Sequence, residues 1–354
     1  MSSASNTHLT LISLVFFSFV ISLLINYILL KFARTLGIRT RGTTEIRWDP
    51  KHKPSLGGIS FYLCFLFSFI FLALINPDFS TIRWTVFGFL LACSLAFLMG
   101  LADDAFNTQP LLKLITQIIC SLVLVYSGIH IRLFENLLLN YALTVFWIIG
   151  MMNSFNLLDN MDGITGIITV VISGLFIAVT VSLKITNSYI TIFNVCLLGS
   201  VVGFLVYNFH PSRMYMGDSG SQFIGFFLAA IGIEVCWNNG LPFGLYHGEL
   251  ENISLVLLVF LLPIIDTTTV FINRIVRGNS PFIGGKDHTT HHLFFRGITE
   301  KRIAMLYLLI SVIACVLAYN IIFKFSYNLL YLALIFVVIV SLILYLNTVI
   351  KKRT

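Results

Sequence analysis

Six aspartates stand where a chain this apolar should least tolerate them. Asp103 and Asp104 close M-G-L-A-D-D, Asp159 and Asp162 lie in N-S-F-N-L-L-D-N-M-D-G, and Asp218 sits in M-G-D-S-G-S, each at the end of an apolar run; Asp266 lies inside one. A His-rich stretch, K-D-H-T-T-H-H (286–292), follows. Charge near lipid is costly, so each acid needs a reason. Carboxylates beside Asn and a Gly-rich turn suit a hard divalent cation such as Mg²⁺, which takes oxygen ligands and joins one or two carboxylates to substrate phosphates. Imidazoles with Lys and Arg suit the anion that such a cation helps to hold.

Taken singly, each motif also has a plainer reading. Gly217 and Gly220 flank Asp218 and Ser219; glycines there let backbone N–H groups approach a phosphate, but they also make an ordinary turn between helices. Asp103 and Asp104 repel one another, which favours one of them taking a metal or a proton; the plainer alternative is two interfacial carboxylates paired with Lys113. Asn153, Asn156 and Asp159 recur at i, i+3, i+6 and share roughly one helix face, and Asp162 precedes Gly163. Capping explains one or two of these groups, not four at one boundary. His288, His291 and His292 suggest zinc, but no Cys is close; beside Lys286 and Arg296, binding of an anionic substrate fits better. Lys53, with Ser55 and Gly57–Gly58, is placed to touch a phosphate or simply to add to the orientation signal. Asp266 reads equally as a functional group or as one bonded to Thr267, Asn273 or another helix, and Pro263 is expected to kink its segment.

The elements that must carry these residues are membrane helices. Of 354 residues 58% are hydrophobic and 10% charged, with mean hydropathy +0.94, against about 25% charged in a soluble domain. The apolar runs have the ~17–25 residues a helix needs to cross ~30 Å of hydrocarbon, not the short alternation of a barrel. Eleven spans are predicted, near 8–30, 57–76, 84–102, 111–129, 138–154, 164–183, 188–207, 219–237, 253–275, 303–323 and 328–349. The first lacks a basic leader and runs too long for a signal peptide, so it is read as a retained helix. Cys64, Cys93, Cys120, Cys196, Cys236 and Cys315 all fall in apolar spans without a CxxC pair, as packed thiols do. With no repeat or soluble segment visible, residues 1–354 are expected to form one all-α membrane domain.

With loops alternating sides, 18 of the 22 Lys and Arg fall on one side and 4 on the other. That asymmetry puts the N-terminus outside and the C-terminus in the cytoplasm. The +7 net charge is then mostly a topology signal, and nucleic acid is not implied as a partner. On this topology every candidate residue, Arg277 beyond the ninth span included, gathers at the cytoplasmic face. Acids for Mg²⁺, glycines and bases for phosphates, and a membrane boundary point together to phosphoryl transfer to or from a lipid.

Four motifs then resemble, in order and at matching helix ends, the polyprenyl-phosphate N-acetylhexosamine-1-phosphate transferases of the MraY/WecA superfamily. They are G-L-A-D-D with K-L-I-T-Q downstream, N-S-F-N-L-L-D-N-M-D-G, Y-M-G-D-S-G-S-Q-F-I-G, and P-I-I-D followed by R-G-N-S-P-F-I-G-G-K-D-H-T-T-H-H. They cover residues 98–297, and P-S-L-G-G extends the match to residue 54. The resemblance implies a multi-pass enzyme of the bacterial inner membrane. In its reaction undecaprenyl phosphate attacks the β-phosphate of a UDP-N-acetylhexosamine, GlcNAc by default, and UMP leaves. The product starts a cell-envelope glycan such as a lipopolysaccharide O-antigen. The resemblance also implies Mg²⁺, with Mn²⁺ as its substitute, and a partner bilayer; homodimers occur in the family.

Residue by residue, it implies Asp218 as the main metal ligand, with Asp104, and Asp103 and Asp104 as catalytic groups at the lipid phosphate. Asn156, Asp159 and Asp162 would bind the nucleotide and order the site, with Asn153 and Lys53 also binding substrate. His291 and His292 would act at the diphosphate or sugar, with His288 and Arg277 binding there. Asn160 replaces the first Gly of the usual D-G-x-D-G, and Asn also tolerates a left-handed backbone. H-T-T-H-H is neither the H-H-H of the MraY branch nor the H-x-H-H of the WecA branch. The R-G-N-S-P-F run favours the WecA-like branch over the phospho-MurNAc-pentapeptide transferases, which stand as the alternative. An ion-coupled transporter, the rival from another class, keeps its acids near the midplane between repeated halves, whereas five of the six here lie at one boundary.

Overall fold

The computed structural model describes residues 2–33, 53–75, 83–238, 248–280 and 285–349. They form α1 (Ser2–Phe32), α2 (Gly57–Ile75), α3 (Arg83–Phe106), α4 (Pro110–Tyr126), α5 (Leu137–Leu158), α6 (Ile164–Ser182), α7 (Tyr189–Asn208) and α8 (Gly217–Gly232), which runs on into a π turn (Ile233–Trp237). There follow α9 (Glu249–Val259), α10 (Leu261–Val276), α11 (Thr289–Phe295), α12 (Glu300–Phe323) and α13 (Tyr327–Val349).

Among the described residues nine helices are long and apolar enough to cross a membrane, or ten if α9 and α10 are taken as one bent span. All eleven expected segments are helical, but α4, at 17 residues, falls short of the nine long enough to cross. The ninth segment is broken rather than gently kinked: α9 and α10 meet at 80°. The break falls at Phe260, ahead of Pro263. A proline ring clashes with the carbonyl four residues earlier, here that of Val259, and Pro263 then sits in the first turn of α10, where its missing N–H costs no bond.

Burial ranks the helices. The apolar stretch of α8 and its π turn is 94% buried, while α1 and α13 are each 22% buried. A helix apolar on all sides belongs in the interior, and α8 is packed by α3, α5 and α2, with α1 lying on α7. Among the described residues a main apolar core runs from Leu56 to Leu344, with a small second cluster of Leu11, Leu14, Val195 and Cys196 where α1 meets α7. The outer helices turn Leu9, Phe16, Leu342 and Ile343 outward, a surface that hydrocarbon solvates at no cost. All six cysteines are buried and free. Residues 34–52, the loop holding Asp78, the P-F-I-G run of 281–284 and Lys351–Arg353 lie outside the described residues, so the loop-charge reading of the termini rests on sequence.

Candidate active site

The site grows from the N-terminus of α8. Its first amides have no partner within the helix, and the Asp104 carboxylate, near the end of α3, supplies one. Asp104 Oδ1 accepts from the Asp218 N–H at 3.0 Å and Oδ2 from the Ser219 N–H at 2.9 Å. Gly217 permits the approach: its φ is +76°, and a Cβ there would lie 2.6 Å from Asp104 Oδ2. Asp104, expected as a metal ligand and catalytic group, holds the first two amides of α8 with its two oxygens and so fixes where Asp218 stands.

Asp218 and Asp103 converge on one cation, the ammonium of Lys113 in the first turn of α4. Its Nζ is 2.6 Å from Asp103 Oδ2 and 2.7 Å from Asp218 Oδ2. Asp103 is held from its other side, where Oδ1 accepts from the Thr108 N–H and hydroxyl at 2.9 and 2.6 Å. Two carboxylates from different helices around one positive charge, with only oxygen donors, suit a hard divalent cation. The sequence carried a signal for Lys113: it is the only charged residue in an otherwise apolar segment and lies soon after the acid pair.

The Asn face of α5 packs into the bundle. Asn153 donates to Gln117 Oε1 at 3.0 Å, and Gln117 donates to Gln222 Oε1 at 3.0 Å, an amide chain linking α5, α4 and α8. Asn156 donates to Ser221 Oγ at 2.9 Å. Asp159 caps the C-terminus of α5 and is half-buried.

Asp162 anchors a second cluster. Its two oxygens accept from the Ser212 N–H and hydroxyl at 2.9 and 2.7 Å, with Lys53 Nζ at 3.9 Å and His210 Nδ1 at 3.4 Å. His210 Nδ1 lies 2.7 Å from Glu300 of α12. Lys53 donates to Ser212 Oγ at 3.0 Å and sits over the Tyr215 ring. Main-chain bonds from Gly57 and Gly58 to Tyr215 and Met216 carry P-S-L-G-G, and with it Lys53, to this place. Asp162, His210 and Glu300 lie close enough to share a cation. Lys53 already supplies positive charge there, however, and Ser212 takes both Asp162 oxygens, so the trio ties the α7–α8 connection to α12. Ser212, His210 and Glu300 carried no sequence signal, because polar residues in loops meet only in three dimensions.

H-T-T-H-H is the start of a helix rather than the loop its composition suggests: His288 is the N-cap of α11. Buried Asp266 holds it, accepting from Thr289 N–H at 2.8 Å and hydroxyl at 2.5 Å, with His288 Nδ1 at 2.8 Å. The Thr289 hydroxyl also meets the Tyr307 hydroxyl at 2.6 Å. Arg274, buried at the end of α10, clasps Asp287 with two N–H donors at 2.7 Å. Burial pushes the Asp287 carboxyl up, but Arg274 outweighs it and leaves the group below the usual carboxylate range. Burial, with the charge of His288 second, pushes His291 down to about 4. Burial and then the nearby Arg277 guanidinium lower His292 as well, while Arg277 itself is exposed. At neutral pH His291 therefore offers an N–H donor or a lone pair, not a charge.

Three groups thus stand at one end of the bundle, at the C-terminal ends of α3, α5, α7 and α10 and the N-terminal ends of α2, α4, α8 and α12. One is a cation-holding acid pair, one a Lys–Asp–Tyr cluster, and one a clamped imidazole helix. The chain as a whole is similar to known proteins. A family profile described as "Glycosyl transferase family 4" matches residues 86–236. The chain is 29% identical over 252 residues to a probable undecaprenyl-phosphate N-acetylglucosaminyl 1-phosphate transferase of Bacillus subtilis, covering 68% of this chain and 67% of that one. It is 30% identical to a phospho-N-acetylmuramoyl-pentapeptide-transferase of Carboxydothermus hydrogenoformans, covering 73% and 82%. It is 29% identical to a decaprenyl-phosphate N-acetylglucosaminephosphotransferase of Mycobacterium leprae, covering 74% and 71%.

Proposed function

The chain belongs to the polyprenyl-phosphate N-acetylhexosamine-1-phosphate transferases, the MraY/WecA superfamily, and on that premise we propose that it joins undecaprenyl phosphate to the sugar 1-phosphate of a UDP-N-acetylhexosamine, GlcNAc by default. The phosphate oxygen of the lipid bonds to the β-phosphorus, the bond from that phosphorus to the bridging oxygen breaks, and UMP leaves. The product, an undecaprenyl-diphosphate sugar, opens the assembly of a cell-envelope glycan. The observation that carries this is the convergence of Asp103 and Asp218 on the Lys113 ammonium.

Two anions must meet, so neutralisation and positioning supply most of the catalysis. The residues fit Mg²⁺: the donors are carboxylate oxygens, and Lys113 marks a point where they stabilise positive charge. Asp218 would hold the ion as main ligand, and Asp104 serves it by capping α8. When bound, Mg²⁺, or Mn²⁺ in its place, offsets the charge on the diphosphate and eases departure of UMP. Asp103 orients the lipid phosphate beside Lys113. A phosphate monoester is largely ionised at pH 7, so Asp103 need not remove a proton. The charged, ring-bearing cluster of Lys53, Asp162 and Tyr215 would meet the nucleotide together with Asn156 and Asp159. His291, His292 and Arg277 would donate to the diphosphate or sugar.

We place this site at the cytoplasmic face of the bacterial inner membrane, because the 18-to-4 division of Lys and Arg favours it. A reporter fused after Thr354 then lies in the cytoplasm, and a periplasmic signal would overturn the placement. The reaction is tested by incubating the purified protein with Mg²⁺, undecaprenyl phosphate and a panel of UDP-sugars. UMP release from UDP-GlcNAc or a close relative is expected, and no UMP from any member, with the protein folded, would overturn the reading.

A further inference from the structure

The two places where the sequence departs from the family pattern touch each other. Asn160, standing for the usual Gly, accepts through Oδ1 from the Thr290 hydroxyl at 2.6 Å. Thr290 lies within the divergent H-T-T-H-H and is 0% exposed. A buried hydroxyl needs a partner, and the Asn160 amide is held so as to give one: its Nδ2 donates to the Leu157 carbonyl at 2.9 Å, which aims Oδ1 the other way. The Asn160 backbone also lies against the His291 ring.

Backbone geometry does not demand a glycine here. The left-handed residue of this turn is Gly163, φ +77°, and Asn107 and Lys184 are the non-glycine residues with positive φ among those described. A glycine at 160 would therefore gain little conformationally and would forfeit the bond. The other threonine of the pair is tied the opposite way, to Asp266 and Tyr307. Helix α11 has 7 residues, too few to be stable by itself, so side-chain bonds on both flanks must set its position.

We propose that Asn160 is a positioning residue, whose hydrogen bond to Thr290 locks the imidazole helix onto the turn that carries Asp159 and Asp162 and so sets His291 against the bound substrate. The inference rests on the transferase reading above. It couples the segment that reads the nucleotide to the segment that meets the diphosphate, so the effect belongs in turnover more than in substrate affinity.

The test is a double-mutant cycle on the full chain in detergent or nanodiscs, with kcat and KM measured for UDP-GlcNAc. Asn160→Gly and Thr290→Val are each expected to lower kcat about tenfold or more, since small misplacements of a reacting group are amplified, with KM changed less than about threefold. The double variant should be no slower than the slower single one. Thr290→Ser, which keeps the hydroxyl, should restore kcat to within about twofold of the starting protein. Wild-type kcat in both single variants, or losses that multiply, would overturn the inference. Unfolding of both would also overturn it, by assigning the bond to stability alone. A starting protein that releases no UMP would instead fail the transferase reading, so the two failures are separable.

Discussion

The imidazole of His288 lies 2.8 Å, through Nδ1, from the carboxylate of Asp266, a residue 1% exposed. With Nδ1 so engaged, His288 presents Nε2 as its free ring position. Asp266 also accepts twice from Thr289, so a residue inside a membrane segment is the seat on which α11 rests. Asp266→Ala leaves these donors buried and unmet, and each unsatisfied buried group costs about 1–3 kcal/mol. A marked fall in thermal stability together with lost UMP release is expected. A variant of unchanged melting temperature would remove Asp266 from this role.

Asp104 binds two amides with two oxygens, and asparagine has only one acceptor. Asp104→Asn would set its NH₂ against an α8 N–H, so it should behave like Asp104→Ala. Both are expected to lose about 1–3 kcal/mol of stability, the cost of an unsatisfied buried group, along with most activity. Thermal unfolding of the two variants side by side checks this. Full stability in Asp104→Asn would return Asp104 to a direct role at the metal.

Lys113 and a divalent cation compete for the same pair of carboxylates. Lys113→Met leaves Asp103 and Asp218 facing each other without compensation, and like charges in one site repel. Added Mg²⁺ should then raise the melting temperature of Lys113→Met more than that of the starting protein. Equal responses would separate the cation from this pair.

The low value of His291 fixes a pH dependence of stability. In the unfolded chain a histidine titrates near 6.5, and here burial holds it at about 4. Between those values the unfolded state binds the extra proton, so stability rises with pH across the window and falls on acidification from 6.5 toward 4. His291→Gln should flatten that part of the profile, as followed by thermal unfolding from pH 4.5 to 7. An unchanged slope would show that other groups carry it.

Much of this was legible from residue type and place. Asp103, Asp104 and Asp218 announce themselves as charges at the ends of apolar runs, and those runs are the helices α3 and α8 that bring them together. Asn153 and Asn156, expected to share a face with Asp159, instead bond Gln117 and Ser221 inside the bundle, while Asp159 stands past the end of α5 as its C-cap. Which acid caps and which holds a cation was not legible, because it depends on an α8 amide pointing at Asp104 rather than at Asp103. The His210–Glu300 contact and the Asn160–Thr290 bond join residues 90 and 130 positions apart, respectively, and no local pattern foretells them. The break at Phe260 was displaced from Pro263 because a proline acts on the preceding turn.

The most direct test follows one atom. UDP-GlcNAc labelled in its β-phosphate is given to the purified protein with undecaprenyl phosphate, with and without Mg²⁺, and the extracted lipid is counted. Transfer of sugar 1-phosphate carries the label into lipid in the presence of Mg²⁺ and releases UMP, and Asp218→Asn abolishes both. Sugar entering the lipid while the β-phosphate label leaves as UDP would contradict it, as would full labelling of lipid by Asp218→Asn.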